Sequence, residues 1–172
     1  MLRVLLLLPL ALCTLAARAA EPYAELRAYP AGGIASLGAL FDYDPRTELG
    51  ISLAYNRAER GDAGEHDHES GDGFGIGIEA RRFYTASVSG WFYGARAELF
   101  QLDIDWRDDG GARGRSEITV LQPTARLGYR FALPGSALTL EIAGSLGAEI
   151  NLDTDGEQVG EGAIGLIGIA IR

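Results

Sequence analysis

Cysteine is absent after position 13, and lysine is absent altogether. With one thiol in the whole chain, no disulfide framework and no thiolate metal site can form. After the first twenty residues no stretch is long and apolar enough to cross a bilayer as a helix. All fifteen basic residues are arginine. Arg3 and Arg18 lie in the first twenty residues, which leaves 13 basic against 24 acidic residues and a formal charge of −11. That balance excludes an electrostatic footprint for nucleic acid. Only two histidines occur, and both fall in one acidic stretch.

The N-terminus has its own grammar. Arg3 precedes an apolar run from Val4 to Leu12 that only Pro9 interrupts, and Ala17-Arg18-Ala19 has the small-x-small form of a cleavage site. This predicts a secretory signal peptide over residues 1–20 and a single domain over 21–172.

What the remaining chain has in abundance is alternation. From Ala137 to Asn151, the even positions Leu138, Leu140, Ile142, Leu146, Ala148 and Ile150 are apolar, and the odd positions are polar or small. Successive side chains on a strand point to opposite faces, so a period of two is a strand with one apolar side. Leu140 and Ile142 then stand near mid-strand on that side, and Ser145 on the other. Similar segments recur at Ala35–Tyr43, Leu49–Asn56, Phe74–Arg81, Trp91–Leu99 and Leu121–Phe131. Weaker candidates at Tyr23–Tyr29 and Ala163–Arg172 bring the count to eight. Past Leu99 the apolar parity switches to Leu102, Ile104 and Trp106, which predicts a bulge near Leu99–Phe100.

The connections alternate too, except for the first, Pro30–Gly32, which is short on the long-loop side. Asp44–Thr47, Thr85–Ser87 and Leu133–Ser136 are short, whereas Arg57–Gly71, Arg107–Arg115 and Asn151–Gly160 are longer and charged. Aromatic residues gather at both strand ends. Phe41, Tyr43, Phe83, Tyr84, Trp91, Phe92, Tyr93, Tyr129 and Phe131 lie near the short turns, and Tyr29, Tyr55, Phe74 and Trp106 near the long loops. Two such groups are expected as interfacial girdles. A soluble sandwich would also alternate, but it would place Glu and Arg in its core at high cost. An all-β, eight-stranded antiparallel transmembrane barrel, an up-and-down meander, accommodates all of these features.

This layout resembles the small eight-stranded outer-membrane barrels of Gram-negative bacteria. The resemblance implies a cell outer-membrane location after secretion across the inner membrane, and a monomer. It implies contact with outer-membrane lipid and lipopolysaccharide, insertion by the barrel-assembly machinery, and a structural or surface-binding role without enzymatic activity. A narrow small-solute channel and a lipid A-modifying enzyme are the competing classes.

Two groups of residues are candidate sites. The lumen face collects Asp42, Glu48, Glu79, Arg81, Arg96, Glu98, Arg126, Arg130, Glu141 and Glu149. An eight-stranded barrel is just wide enough for side chains to fill, so these charges should pair into a network that closes it. The 57–71 loop carries Asp62, Glu65, His66, Asp67, His68 and Glu69. Imidazole and carboxylate together suit Zn²⁺, and carboxylates alone suit Ca²⁺. The other reading is a solvated acidic loop. His66 and His68 are expected on one side of an extended segment. No cofactor is expected beyond a divalent cation there. His68-Glu69-Ser70 is similar to the His-x-Ser element of the outer-membrane lipid A deacylases, though here it is expected in a polar loop. That resemblance makes Ser70 a nucleophile and His68 its base. Arg60-Gly61-Asp62 spells an integrin-type tripeptide, and Arg57, Arg107, Arg113 and Arg115 are candidates for lipopolysaccharide phosphates.

Overall fold

The computed structural model describes residues 20–61 and 64–172. The leader expected over 1–20 lies outside the described residues, apart from Ala20, and so does Asp62. Eight strands follow in chain order. They are β1 (Ala20–Tyr29), β2 (Gly32–Asp44), β3 (Thr47–Glu59), β4 (His68–Phe83), β5 (Gly90–Arg107), β6 (Arg113–Ala132), β7 (Thr139–Asp155) and β8 (Gly162–Ile171). Each is antiparallel to the next, and β1 pairs with β8, so the sheet closes into a meander barrel. Closure removes the open edges that a sheet would otherwise present.

The alternation sorts the side chains. On β3, Ser52, Ala54, Asn56 and Ala58 are buried, while Ile51, Leu53 and Tyr55 are exposed. Leu53, Ile76, Ile78, Leu146 and Ile167 are each at least 60% exposed. Such a continuous apolar exterior is stable against lipid and not against water. Small inward residues leave room for long ones. A Cβ added at Gly50 would stand 2.7 Å from Glu79 Cγ.

The bulge expected near Leu99–Phe100 is not there. β5 pairs with β4 from Arg107 to Phe92, and with β6 from Gly90 to Arg107, without a shift in either register. The parity switches because the surroundings change, not the strand. Beyond Leu99 the outward residues Gln101, Asp103 and Asp105 rise above the apolar band and are exposed. The inward residues Phe100, Leu102, Ile104 and Trp106 are buried in a core. The register shifts instead between Asp42 and Asp44 on the β2–β3 pair and between Thr119 and Val120 on the β6–β7 pair. Asp42, expected in the lumen, is exposed at the first of these.

The expected long loops are also largely strand. Pairing leaves residues 30–31, 60–67, 108–112 and 156–161 as connections at one end, against 45–46, 84–89 and 133–138 at the other. The asymmetry lies in strand length. β5, β6 and β7 have 18, 20 and 17 residues, where a tilted strand crosses a bilayer with about 9–11. Charge made these stretches read as loops, whereas it only marks the outer face of a sheet that has left the lipid. We call this projecting end the outer end, and the other, which carries Ala20 and Arg172, the terminal end.

The girdles are smaller than the aromatic count implied. Tyr84 packs on Tyr93 with ring centroids 5.4 Å apart, and Trp91 on Tyr129 at 5.3 Å, on the outside near the terminal end. Tyr55 and Phe74 pair at 5.2 Å toward the outer end. Phe83, Phe92, Tyr29 and Trp106 are buried instead, because their parity turns them inward.

Candidate functional site: lumen and outer cap

Two rings of alternating charge fill the lower lumen. In the first, Arg81 Nε donates to Glu48 Oε2 and Arg81 Nη1 to Glu141 Oε2, both at 2.6 Å. Arg130 closes the circuit, donating to Glu141 Oε1 at 2.6 Å and to Glu48 Oε2 at 2.8 Å. Arg130 also lies over the Phe83 ring at 4.0 Å, where the π face favours a cation. Arg172 reaches in from the chain end to Glu48 at 3.1 Å.

The second ring is formed by Glu25, Arg96, Glu79 and Arg126. Arg96 donates to Glu25 Oε2 at 2.5 Å and to Glu79 Oε1 at 3.1 Å. Arg126 donates to Glu79 Oε2 at 2.7 Å and to Glu25 Oε1 at 2.5 Å. Beyond it Arg27 grips Glu98 with both terminal nitrogens and donates to Ser36 Oγ at 2.9 Å. Each ring pairs two guanidiniums with two carboxylates, so it is formally neutral, and all its members are buried. Charge-assisted hydrogen bonds offset the desolvation that would expel any one of these groups alone.

Toward the outer end the lining turns apolar. Ile34, Phe100, Leu102, Ile104, Ile118 and Val120 form the floor of one buried cluster. A smaller polar set sits beside it. Arg60 donates to Glu149 Oε2 at 3.2 Å, and Gln122 to Glu149 Oε1 at 2.5 Å.

A cap closes the outer end, with Glu69 at its centre. This carboxylate is 2% exposed. It accepts from the backbone N–H of Glu65 at 2.8 Å, of His66 at 3.2 Å and of Gly160 at 3.0 Å, and pairs with Arg60 at 3.1 Å. His66 lies flat on Trp106, with centroids 4.1 Å apart and planes 9° apart, and its Nδ1 is 3.0 Å from Asp108 Oδ1. Asp67 Oδ2 accepts from the Asp109 N–H at 2.6 Å. Val159 is buried in the apolar cluster below.

The ten lumen residues named from sequence therefore do not form one network. Asp42 is exposed, Glu48, Arg81, Arg130 and Glu141 belong to the first ring, and Glu79, Arg96 and Arg126 to the second. Glu98 pairs with Arg27, and Glu149 with Arg60. Glu25 and Arg27 were missed on the weak first strand, although their parity, shared with Tyr23 and Tyr29, carried the signal. Arg60 lies in the loop as expected, but its side chain turns inward. Buried against Glu69 and Glu149, it is not presented as part of an adhesive tripeptide.

Among the described residues the acidic loop does not gather its donors. Glu69 turns inward, His66 stacks on Trp106, and Glu65 and His68 are exposed. Among the described residues no group of three or more His, Cys, Asp or Glu is placed to hold a metal ion. His66 and His68 do not share a side, because the chain bends through 64–67 and becomes strand only at His68. His68-Glu69-Ser70 thus opens β4 instead of lying in a loop. His68 and Ser70 are exposed on its outer face, opposite Arg107 and Asp105 of β5.

No family model and no curated protein sequence matches this chain. Solved structures similar to it include the following two. Neisserial surface protein A (NspA) aligns over 89% of this chain and 94% of its own, with 15% identity and a TM-score of 0.53. The N-terminal β-barrel domain of Pseudomonas aeruginosa OprF aligns over 88% of this chain and 95% of its own, with 16% identity and a TM-score of 0.50. At such identity the likeness is one of fold, and the fold is that of the small eight-stranded outer-membrane β-barrels.

Proposed function

We propose that this chain is a monomeric outer-membrane barrel with a structural or cell-surface binding role and a lumen closed to solutes. The observation that carries the reading is the pair of neutral Arg/Glu rings across the lower lumen, with an apolar cluster above them. Ions entering from the terminal end meet paired charges and then a mainly apolar lining, whose polar groups Arg60, Gln122 and Glu149 are bonded to one another. The apolar exterior faces lipid, the terminal end faces the periplasm and the longer strands project outward, as in barrels of this class. Arg57, Arg107, Arg113 and Arg115 are exposed on the projecting wall, where they suit lipopolysaccharide phosphates. Insertion by the barrel-assembly machinery follows from the same reading, and neither nucleic acid nor a cofactor has a part in it. Planar-bilayer recording of the purified protein tests it. No steady unitary conductance is expected, and a steady unitary conductance overturns the closed lumen in favour of a narrow small-solute channel.

One observation favours a second reading. His68 and Ser70 project from the outer face of β4 with Asp105 opposite Ser70, which puts a base, a hydroxyl and a carboxylate on one wall just above the lipid band. That reading, a lipid A-modifying enzyme, predicts altered lipid A masses on overexpression, restored by Ser70→Ala. Unaltered lipid A on overexpression dismisses it.

A further inference from the structure

We propose that residues 64–69 are the hub of an outer cap that opens and closes as one unit, with the Glu69 carboxylate as its latch. This goes beyond the role proposed above and does not depend on it.

Of the connections at the outer end, those after β3, β5 and β7 meet, and residues 64–69 touch the other two by different means. Toward the β7–β8 loop the link is Glu69, whose two oxygens both accept from the Gly160 N–H, at 3.0 and 3.1 Å. The approach is close, since a Cβ added at Gly160 would stand 2.8 Å from Gly64 Cα. Toward the β5–β6 loop the links are the His66–Trp106 stack, the His66–Asp108 contact and the Asp109 N–H donated to Asp67. The same carboxylate holds the hub itself in shape, through the N–H groups of Glu65 and His66. Arg60 ties it to Glu149 on the β7 wall.

The arrangement concentrates the closure on one side chain. Removing Glu69 leaves the buried Gly160 N–H and the part-buried N–H groups of Glu65 and His66 without their acceptor, and leaves Arg60 with Glu149 alone. Unsatisfied buried donors are costly, so water must enter and the hub must loosen. Val159 then loses its hold on the apolar cluster, and His66 its fixed place on Trp106. The barrel wall below is untouched, because its backbone ladder closes without the cap. Opening is therefore a local event, distinct from unfolding.

Hydrogen–deuterium exchange on the refolded protein in detergent micelles tests this, with heat-modifiable gel mobility as the check on folding. In Glu69→Ala, amides of 64–67, 108–112 and 156–161 should exchange together, by about tenfold or more faster than in the parent. Strand amides of 141–150 should keep their protection. The telling segment is 108–112, which Glu69 does not bond directly and which the hub reaches through His66 and Asp67. Trp106 emission should change in the same variant as its stacked partner is released. Glu69→Gln keeps an acceptor oxygen for the backbone and should fall between the two, and it carries the same test if Glu69→Ala does not refold. Faster exchange confined to 64–67 and 156–161 overturns the single unit, and unchanged exchange at all three loops overturns the latch.

Discussion

Glu79 shows what a single residue contributes to this barrel. It accepts from Arg96 at 3.1 Å and from Arg126 at 2.7 Å, so its loss strips two buried guanidiniums of a partner at once. Breaking a buried pair by deleting one member costs about 3–5 kcal/mol. Glu79→Ala is therefore expected to destabilise the barrel by about that amount in urea titrations of vesicle-inserted protein. Arg115 pairs with Asp103 at 2.7 Å on the exposed outer wall. Arg115→Ala should cost about 0–1 kcal/mol in the same assay. Equal costs for the two variants would mean that the ring is solvated. The charge of each lumen position was legible in the sequence, because parity alone places Glu79, Arg96 and Arg126 on one face. Which carboxylate meets which guanidinium was not. Arg126 reaches Glu25 across 101 residues of chain, and only closure of β1 onto β8 brings that distance to 2.5 Å.

The strands show how one pattern can serve two surroundings. β5 keeps its register from end to end, yet its outward face is apolar up to Leu99 and charged beyond it. Leu102 consequently packs inside the projecting barrel, fully buried. Leu102→Ala should cost about 2–5 kcal/mol, as truncation of a core leucine does. A bulge that turned Leu102 to the outside would make the same change nearly neutral. β7 carries a related correction. Ile142 lies opposite Tyr129 of the aromatic girdle, and Leu146, 74% exposed, is nearer the middle of the apolar band. Leu146→Arg should then cost about 2–4 kcal/mol and Ile142→Arg about 0–1, measured by the same unfolding titration. Ser145, on the lumen face, is buried opposite Arg126, so an arginine placed there meets that guanidinium.

At the scale of the molecule, orientation follows from the length of the wall. The projecting strands end at 108–112 and 156–161, and the terminal end at 84–89 and 133–138. With no cysteine after position 13, single cysteines report location cleanly. Asp109→Cys in intact cells should react with a membrane-impermeant maleimide, and Ala86→Cys should react only after the outer membrane is opened. The reverse pattern would invert the barrel. The interior divides along the same axis, with rings of paired charge below and an apolar cluster under the cap above.

The sequence by itself determined the class of fold. Period-two alternation is a property of the strand backbone, so eight strands, their inward and outward faces and their up-and-down order can be read without any long-range contact. Tertiary structure decided everything that depends on closure or on depth. It extended the walls through stretches whose charge looked like loop, and replaced an expected bulge by a change of surroundings. It also converted Glu69 from a candidate metal ligand into the centre of the cap. The physical reason is the same in each case: alternation states which side a residue faces, but not whether lipid, water or another strand's side chain waits there.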